Sequence, residues 1–399
     1  MSGIGEHARA ATARAEPHVR VPSILPGATI GFLGGGQLGR MTALAAREMG
    51  YDVRVLDPEA DCPACPIATA HVTAAWNDVD AAARLARASD VVTIEIERVS
   101  VDCLEAAAQF APTRPGAAVL ATVQHRERQK RWLTSHGFPL GEYQAAGSAA
   151  ECETAVAAWG ACYIKASTGG YDGRGQVRVS RPGDCAQAWA ALRAERCIVE
   201  RALDLEAEIS VMVARRPTGE HAVFPVALNH HEAGQLEWSV IPAPIAPPLA
   251  DQATAIGVAI ADALDVVGLL AVEMFVVRDG RLLINELAPR PHNSFHHTIE
   301  GCVTSQFEQL VRAICNLPLG VTDVLRPTAI ANVLGNAWAP GRPPNFAGAL
   351  MVPGTSIHLY GKREPRPARK MGHLTAMADT AVNARTRVLE AAAKLRATD

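Results

Sequence analysis

Two glutamates on neighbouring strand-like segments have the residue type and spacing of a cation site. Glu273 lies in the apolar stretch 269–277, Glu286 lies in the stretch 281–287, and Asp279-Gly280 between them is a strong signal for a tight hairpin. A two-residue turn at Asp279-Gly280 places Glu273 directly opposite Glu286, with their Cβ atoms about 5 Å apart. Two like charges at that distance repel, so a cation is expected between them.

The hard divalent cation Mg²⁺ fits such a pair when nucleotide phosphates complete its coordination shell. The alternative is an edge hairpin on which both carboxylates point into water. Glu273 interrupts a strand that is otherwise almost entirely apolar, which favours the metal site. The strand register decides between the metal site and the solvent-exposed hairpin. A three-residue loop would turn the side chains of Glu273 and Glu286 to opposite faces of the sheet.

A glycine-rich segment, KASTGGYDGRGQ at 165–176, lies between two predicted strands. Lys165 ends the first strand and Val177 begins the second, whereas a P-loop opens a helix. Glycine lets backbone N–H groups approach phosphate oxygens, and Lys165 adds a positive charge beside them. The segment predicts a flap over nucleotide phosphates; the alternative is an ordinary mobile surface loop.

A second glycine loop, Gly34-Gly35-Gly36-Gln37-Leu38-Gly39, follows a predicted strand and opens a predicted helix. Asp57 comes at the end of the next strand, which completes the local context of a dinucleotide-binding fingerprint. An NAD-dependent oxidoreductase is therefore one hypothesis. The same geometry binds other phosphate esters at a helix N-terminus.

Two further polar clusters border these loops. Arg290, His292 and Asn293 leave the second acidic strand beside the predicted metal, where an oxyanion substrate would sit, although a capped turn could also explain them. The basic run 362–370 is a solvated face, a nucleic-acid patch or, if it folds back onto the cleft, a phosphate clamp.

Composition restricts the classes of protein that this chain can belong to. Its 399 residues suit two or three domains, and no apolar run reaches the length of a membrane span. The net charge of −3 gives no support to nucleic-acid binding. Without an export signal, the nine cysteines are expected to be reduced and the protein cytoplasmic. Cys62 and Cys65 have CxxC spacing but no second CxxC or HxxxH, which favours an incidental loop pair over a zinc or redox site.

The order of predicted elements indicates an α/β and α+β protein of several units. Residues 1–26 are expected to form a disordered tail, and alternating strands and helices over 27–120 predict a Rossmann-like parallel sheet. Residues 121–318 hold the flap and the acidic hairpin. Residues 319–399 predict a small β-rich domain that ends in a helix.

These motifs together resemble the ATP-grasp superfamily, and within it the N5-carboxyaminoimidazole ribonucleotide synthases of purine biosynthesis. The resemblance covers about residues 29–375. It depends on seven motifs: IGFLGGGQLGRM, EIE at 95–97, GGYDGRGQ, AVEMF, NELAPRPHNS, TIEGCVTSQFEQ and YGKREPRPARKMGH. It implies a three-domain ligase with an ATP-grasp fold, and it assigns the first glycine loop to a ribonucleotide rather than to a dinucleotide.

The reaction implied by the resemblance uses ATP, Mg²⁺ and bicarbonate to form carboxyphosphate, which carboxylates the 5-amino group of aminoimidazole ribonucleotide. Glu273 and Glu286 would bind the metal, and Lys165, Arg290, His292 and Asn293 would be catalytic. The implied ATP-binding residues are Arg126, Lys165, Gly170, Tyr171, Asp172, Gly173, Arg174, Gly175, Gln176, Glu200, Arg201, Ala202, Leu203, Glu208, His231, Asn285 and Glu286. The implied ribonucleotide-binding residues are Gly36, Gln37, Leu38, Glu95, Tyr171, Asp172, Arg174, Lys362, Arg369 and Lys370. A homodimer that passes its product to a separate mutase is also implied.

The sequence departs from the family pattern in several places. Phe295-His296-His297 stands where a small residue and a tryptophan usually flank the histidine, Ala368 replaces a glycine, Gly116 a serine, and Ser100 a proline. Three other hypotheses remain open: another ATP-grasp enzyme acting on a ribonucleotide, the NAD-dependent oxidoreductase, and an inactive binding protein of ATP-grasp shape.

Overall fold

The computed structural model describes residues 21–169, 175–232, 234–338 and 342–396. Its elements form three sheets with helices packed against them. In these ranges, every helix is too short or too polar to span a membrane.

The N-terminal unit is a parallel sheet covered on both faces. Its elements are β1 Thr29–Leu33, α1 Gln37–Glu48, β2 Asp52–Asp57, β3 Ala70–Thr73, α2 Val79–Arg87, β4 Val91–Ile94, α3 Val101–Ala108 and α4 Ala117–Val123. The strand order is β3-β2-β1-β4, with every pairing parallel. Alternate residues of β1 explain the two faces: Ile30 and Phe32 belong to one core, and Leu33 to the core under α2 and α3. The three-layer α/β arrangement predicted for this part of the chain is present.

A small antiparallel sheet follows. Its elements are α5 Arg126–Ser135, β5 Tyr143–Ala146, α6 Ala149–Trp159, β6 Cys162–Ala166, β7 Gln176–Val179, α7 Cys185–Leu192 and β8 Cys197–Arg201. The strand order is β5-β8-β6-β7. Strands β6 and β7 are the two arms of the predicted flap, and β8 runs beside β6.

The third sheet has eight strands in the order β13-β12-β9-β10-β11-β14-β16-β15. The elements are β9 Leu205–Arg215, β10 His221–Glu232, β11 Gln235–Ile241, α8 Pro247–Ala263, β12 Gly268–Val277, β13 Leu282–Ala288, α9 Thr298–Gly301, α10 Gln306–Ile314, β14 Thr328–Leu334, α11 Phe346–Leu350, β15 Thr355–Leu359, β16 Lys370–Met377 and α12 Ala381–Arg396. The three C-terminal strands predicted as a separate β-rich domain therefore continue the sheet of the preceding unit through the β11–β14 pairing.

The expectation for the N-terminal tail differs from the structure. The predicted disordered tail extended through residue 26, but the segment from 21 onward is ordered: the Ile24 amide donates to the Cys315 carbonyl, and the Asn316 side chain donates to the Val21 carbonyl. A proline-dense stretch of the sequence, 242–248, overlaps the start of α8. Pro247 and Pro248 occupy the first turn of that helix, where a missing N–H costs nothing.

Candidate active site

The acidic hairpin brings Glu273 and Glu286 face to face, by a route other than the predicted one. The Val277 amide donates to the Arg281 carbonyl, so the loop has three residues, and Gly280 adopts φ +85° within it. That loop alone would separate the two carboxylates. A bulge between Glu273 and Met274 leaves one extra residue, Asn285, on β13, and the pairing of Glu273 with Glu286 is restored.

Glu273 is enclosed, whereas Glu286 faces outward. The Asn285 side chain donates to one Glu273 oxygen at 3.2 Å, and His292 Nε2 lies 3.3 Å from the other. Burial, with the charge of Glu286 adding to it, raises the pKa of Glu273 to about 7. The two carboxylates therefore repel at close range in the absence of a cation.

Two lysines converge on Glu200 beside this hairpin. The Nζ atoms of Lys165 and Lys130 lie 2.5 and 3.0 Å from the two oxygens of Glu200, and all three side chains are largely buried. Although burial opposes ionisation, the two ammonium groups lower the pKa of Glu200 to about 2. Lys165 Nζ also lies 3.5 Å from the Asn285 side-chain oxygen, which joins the lysines to the carboxylate pair.

Lys130 was not among the site residues predicted from the sequence. It follows Arg126 by four residues on α5, and an i, i+4 spacing puts both side chains on one helix face. Its Nζ also donates to the Asn285 carbonyl at 3.0 Å, at the residue that forms the bulge. Lys130 therefore helps to hold the β13 backbone in the position that aligns the two glutamates.

Arg126 anchors the base of the flap. Its guanidinium donates to the carbonyls of Ala166 at 2.8 Å and Gly169 at 2.7 Å, and its amide donates to the Ser167 carbonyl. Gly175 and Gln176 begin the returning arm, and Gly175 has φ +74°. The predicted site residues Gly170, Tyr171, Asp172, Gly173 and Arg174 lie outside the described residues.

The predicted nucleotide strand, 200–203, lies at the end of β8. Arg201 faces solvent in an ion pair with Glu142, the Ala202 amide donates to the Ala161 carbonyl, and the Leu203 side chain packs over Gly141. Glu208 and His231, 2.8 Å apart, line a cavity of about 270 Å³. Burial opposes protonation of His231, but the bond to Glu208 and the charges of Glu208, Glu273 and Glu286 together outweigh it and raise the pKa of His231.

The turn after β13 carries the three predicted catalytic residues. Arg290 Nε pairs with Glu97 of the N-terminal unit at 2.7 Å. Burial, reinforced by the charges of Arg290 and Lys370, lowers the pKa of His292. Asn293 is buried, and within the described part of the chain neither of its side-chain polar atoms has a hydrogen-bond partner.

Gln306 fixes this turn, and it was also missed as a functional residue. Its oxygen accepts from the His292 amide at 2.8 Å, while its nitrogen lies 3.0 Å from both the His292 carbonyl and His296 Nδ1. The Ser294 amide donates to His292 Nδ1, so the proton of the neutral ring is on Nε2, facing Glu273. The Phe295 ring turns away into the core against Phe224, so this departure from the family pattern does not reach the carboxylates.

The N-terminal glycine loop is occupied by carboxylates of the chain itself. The Asp57 carboxylate accepts from the Gly35 amide at 2.8 Å, and the Glu95 carboxylate accepts from the Gly39 amide at 3.1 Å. A Cβ added at Gly36 would lie 2.6 Å from Glu95. Asp57 is therefore engaged where a dinucleotide fingerprint would use it for a ribose.

The basic C-terminal segment folds back onto this loop. Lys362 Nζ donates to the Gln37 side chain and to the Lys370 carbonyl, each at 2.7 Å. Leu38 is buried in a small cluster with Met41, and the Arg369 guanidinium donates to the Glu364 carbonyl in its own segment. Gln37, Lys362 and Lys370 are thus brought together, whereas the Leu38 side chain is a packing residue.

The arrangement combines an opposed carboxylate pair, two lysines, and a turn with an arginine, a neutral histidine and an amide that has no partner among the described residues. Carboxylates with one metal and nearby lysines are suited to nucleotide phosphates. The turn offers hydrogen-bond donors to a small oxyanion. The site therefore suits transfer of a phosphoryl group from a nucleotide to a small oxyanion. Besides the carboxylate–lysine group and the turn, a further region is formed by the glycine loop and Lys362.

Comparison with known proteins decides the family. Residues 27–124 match the ribonucleotide synthetase preATP-grasp domain, 131–307 the ATP-grasp domain, and 328–387 the phosphoribosylaminoimidazole carboxylase C-terminal domain. The chain is 41% identical over 356 residues to the N5-carboxyaminoimidazole ribonucleotide synthase of Bacillus subtilis, covering 89% of this chain and 92% of the relative. The chain belongs to the N5-carboxyaminoimidazole ribonucleotide synthase family.

Solved structures of this family have the same fold. An N5-carboxyaminoimidazole ribonucleotide synthetase in complex with ADP superposes with a TM-score of 0.86 at 42% identity, over 93% of this chain and 97% of that one. The Aspergillus clavatus synthase in complex with ADP and 5-aminoimidazole ribonucleotide gives 0.84 at 31% identity, over 92% and 98%. The predicted ATP-grasp fold is confirmed, and the N5-carboxyaminoimidazole ribonucleotide synthase family replaces the dinucleotide oxidoreductase as the explanation of the glycine loop.

Proposed function

We propose that this chain is an ATP-grasp ligase that carboxylates 5-aminoimidazole ribonucleotide to N5-carboxyaminoimidazole ribonucleotide in purine biosynthesis. ATP would phosphorylate bicarbonate to carboxyphosphate and release ADP. The 5-amino group of the ribonucleotide would then attack the carboxyl carbon, and phosphate would leave. The observation that carries the proposal is the opposed Glu273–Glu286 pair beside Lys165, in a chain of this family.

The residues at the hairpin fit Mg²⁺. The raised pKa of Glu273 comes from burial and from a second carboxylate opposite it, an arrangement that a divalent cation would relieve. Glu273 and Glu286 would hold the metal, with Asn285 orienting Glu273. When bound, Mg²⁺ would neutralise charge on the nucleotide phosphates.

Lys165 and Arg126 both lie at the base of the flap, and their proposed roles differ. Lys165 is held by Glu200 with its ammonium group within 3.5 Å of Asn285, where it would contact ATP phosphates beside the carboxylates. The Arg126 guanidinium bonds two carbonyls of the arm that leads into the flap. Arg126 would therefore fix the position from which the flap closes, in addition to the phosphate contact implied by the resemblance. Closure would keep water from carboxyphosphate.

The turn after β13 supplies groups for bicarbonate and carboxyphosphate. Asn293 offers two buried polar atoms that have no partner among the described residues, which a bound oxyanion would satisfy. His292 is neutral and presents its Nε2 proton, and Arg290 supplies the permanent charge. These three groups would orient the anion for phosphorylation and then hold the carboxyl group for the attacking amine.

The ribonucleotide would lie between the glycine loop and the basic segment. Lys362 reaches Gln37 of the loop at 2.7 Å, and Glu95 lies beneath it. Lys362, Arg369 and Lys370 would meet the phosphate group. The homodimer, the cytoplasmic location and the transfer of product to a separate mutase stay predictions, the first of which sedimentation equilibrium would check.

The proposal is tested by measuring ADP release with ATP, Mg²⁺ and bicarbonate, with and without 5-aminoimidazole ribonucleotide. We expect the ribonucleotide to stimulate ADP release, with N5-carboxyaminoimidazole ribonucleotide formed in equal amount. An equal rate of ADP release with and without this substrate would favour another ATP-grasp enzyme. Absence of ATP turnover would favour an inactive binding protein.

The metal assignment has its own test in Glu273→Gln. Loss of one of two ligands is expected to lower the rate of ADP release by about 100-fold. Asp279→Asn is the matched control, because Asp279 is a half-exposed carboxylate in the loop of the same hairpin. In the presence of a chelator at pH 8, the free energy of unfolding of Glu273→Gln should be at least that of the parent protein. The substitution removes a buried carboxylate that repels Glu286. Unchanged turnover of Glu273→Gln would refute the metal assignment.

A further inference from the structure

Three potential metal ligands meet in the N-terminal unit, on side chains to which no role was assigned above. The sulfurs of Cys62 and Cys65 and a ring nitrogen of His71 all lie within 4.8 Å of one another. Cys62 and Cys65 are joined by a tight turn in which the Cys65 amide donates to the Cys62 carbonyl, and His71 lies on β3, which pairs with β2. In the described part of the chain, no other three histidine, cysteine or acidic side chains meet in this way.

A second observation points to a ligand at this cluster. His71 Nε2 is buried, and it finds no hydrogen-bond partner among the residues that the structure describes. A buried ring nitrogen without a partner is costly unless something else binds it. Cys62 is fully buried whereas Cys65 is half-exposed, so one side of the cluster opens toward solvent.

The donor set selects the kind of cation. Two thiolates and an imidazole suit Zn²⁺, a borderline-soft ion, and would reject Mg²⁺. With Zn–S bonds of about 2.3 Å, tetrahedral geometry places two sulfurs about 3.8 Å apart. The present separations of up to 4.8 Å need to close by about 1 Å, which side-chain rotation can supply.

A redox role for the CxxC pair fits the surroundings less well. Reactive cysteines of redox motifs have a lowered pKa and an accessible sulfur. Burial, together with the neighbouring Cys65 thiol, instead raises the pKa of the Cys62 thiol. A divalent cation would reverse this effect by stabilising both thiolates.

We propose that Cys62, Cys65 and His71 form a Zn²⁺ site, with a water molecule from the open side as the fourth ligand. Binding displaces the proton of each thiol, so two protons are released for each ion bound.

The site would stabilise the back of the N-terminal glycine loop. The Ala64 amide donates to the Gly35 carbonyl at 2.9 Å, and a Cβ added at Gly35 would overlap the Cys62 sulfur. Arg40 of α1 donates to the Pro63 carbonyl. A metal that fixes residues 62–65 would thereby fix the loop and the start of the helix that follow β1.

Cobalt titration of the full-length, reduced protein tests the proposal, in Mg²⁺ excess so that the carboxylate pair does not take up cobalt. We expect a thiolate-to-cobalt charge-transfer band and intense tetrahedral ligand-field bands that saturate at one Co²⁺ per chain. Zn²⁺ should abolish these bands by displacement, and protein purified from zinc-containing medium should carry one zinc per chain.

Substitutions locate the site. Cys65→Ser and His71→Gln should each lose the tetrahedral bands and the bound zinc. Cys103→Ser, which removes a thiol from α3 in the same unit, and His221→Gln, on an exposed part of β10, should retain both. Circular dichroism and thermal unfolding would check that each variant folds.

Three results would overturn the proposal: no tetrahedral band in reduced wild-type protein, bands that persist in Cys65→Ser, or bands that persist in His71→Gln. The last of these would indicate a dithiolate site without the imidazole. None of these readouts depends on ligase activity, so the zinc site and the proposed function succeed or fail separately.

Discussion

Glu200 is a carboxylate held between two buried ammonium groups. The resemblance implies that Glu200 binds ATP, whereas both Glu200 oxygens contact lysines in the structure. Its negative charge offsets the repulsion between Lys130 and Lys165, which converge on the same region. We therefore expect the Glu200 side chain to act by positioning Lys165.

Glu200→Gln should unfold more easily than the parent protein. The substitution leaves two buried lysines without their counter-charge, and breaking a buried pair by removing one partner costs about 3–5 kcal/mol. Urea unfolding would measure this loss. Glu142→Gln, which removes an exposed partner of Arg201 just before β5, should cost at most about 1 kcal/mol. Equal stability of the two variants would contradict the role given to Glu200.

Ala368 explains one departure from the family pattern and predicts its cost. Its φ of +59° is in the left-handed region, where glycine is favoured because it lacks a Cβ. Ala368→Gly should raise the free energy of unfolding by about 0.5–1 kcal/mol, the relief of strain being partly offset by greater freedom of the unfolded chain. Ala255→Gly, at an exposed position in the middle of α8, should lower it by about 1 kcal/mol. Denaturant titration of the two variants gives opposite signs if this explanation holds.

At the scale of elements, the β12–β13 hairpin shows what could be predicted from the sequence and what could not. The opposition of Glu273 and Glu286 was predictable, because alternation along apolar strands and a turn signal fix it approximately. The three-residue loop and the bulge at Asn285 were not predictable, since each changes the register by one residue and leaves no local signature. Lys130 was missed for a related reason, since its partner Asn285 lies 155 positions away in sequence. The partners of Gln306 in the turn after β13 are 10 to 14 positions away, which is still beyond the reach of a helix or hairpin pattern.

The turn and short helix after β13 carry histidines whose burial predicts a pH dependence. Burial lowers the pKa of His297 to about 3, and its ring nitrogens have no partner among the described residues. Below about pH 6.5 the unfolded chain binds a proton at this residue that the folded chain does not. The stability associated with His297 is therefore complete above pH 6.5 and is lost as the pH falls.

His297→Phe should reduce this acid sensitivity. Between pH 6 and pH 5 we expect the free energy of unfolding to fall less steeply than in the parent, by about 1.4 kcal/mol per pH unit at most. Urea unfolding at several pH values would measure the slope. His221→Phe, at an exposed position of β10, should keep the parent slope. A parent-like slope in His297→Phe would show that the residue is protonated in the folded protein.

At the scale of the whole molecule, the proposed ribonucleotide-binding region is assembled from segments near both ends of the chain. Gln37 and Lys362 are separated by 325 positions and meet at 2.7 Å. The adjoining cluster of Leu38, Met41, Phe307 and Tyr360 packs α1 against the remainder of the protein. Both segments were phosphate-binding candidates from the sequence, but only the packing of the three units could show that they lie side by side.

Lys362→Met should weaken binding of the ribonucleotide and leave binding of ATP largely unaffected. Loss of a charge-assisted hydrogen bond of about 1.5–3 kcal/mol corresponds to a KM for the ribonucleotide higher by about 10- to 100-fold. Initial-rate kinetics with each substrate varied would separate the two effects. Arg363→Met changes the neighbouring, strongly exposed residue and should leave both KM values near those of the parent. An equal rise in the KM for ATP would contradict a role of Lys362 that is specific to ribonucleotide binding.

The eight-stranded sheet has a consequence for how the chain can be divided. Because β14 pairs with β11, cutting the chain near residue 318 would expose the backbone amides and carbonyls along one side of β11. A bare edge of that kind pairs readily with other chains, so a fragment ending there should aggregate. The family-specific C-terminal strands thus complete the sheet that begins in the preceding unit. We expect neither part to fold stably without the other, so a deletion that removes one would also remove the other.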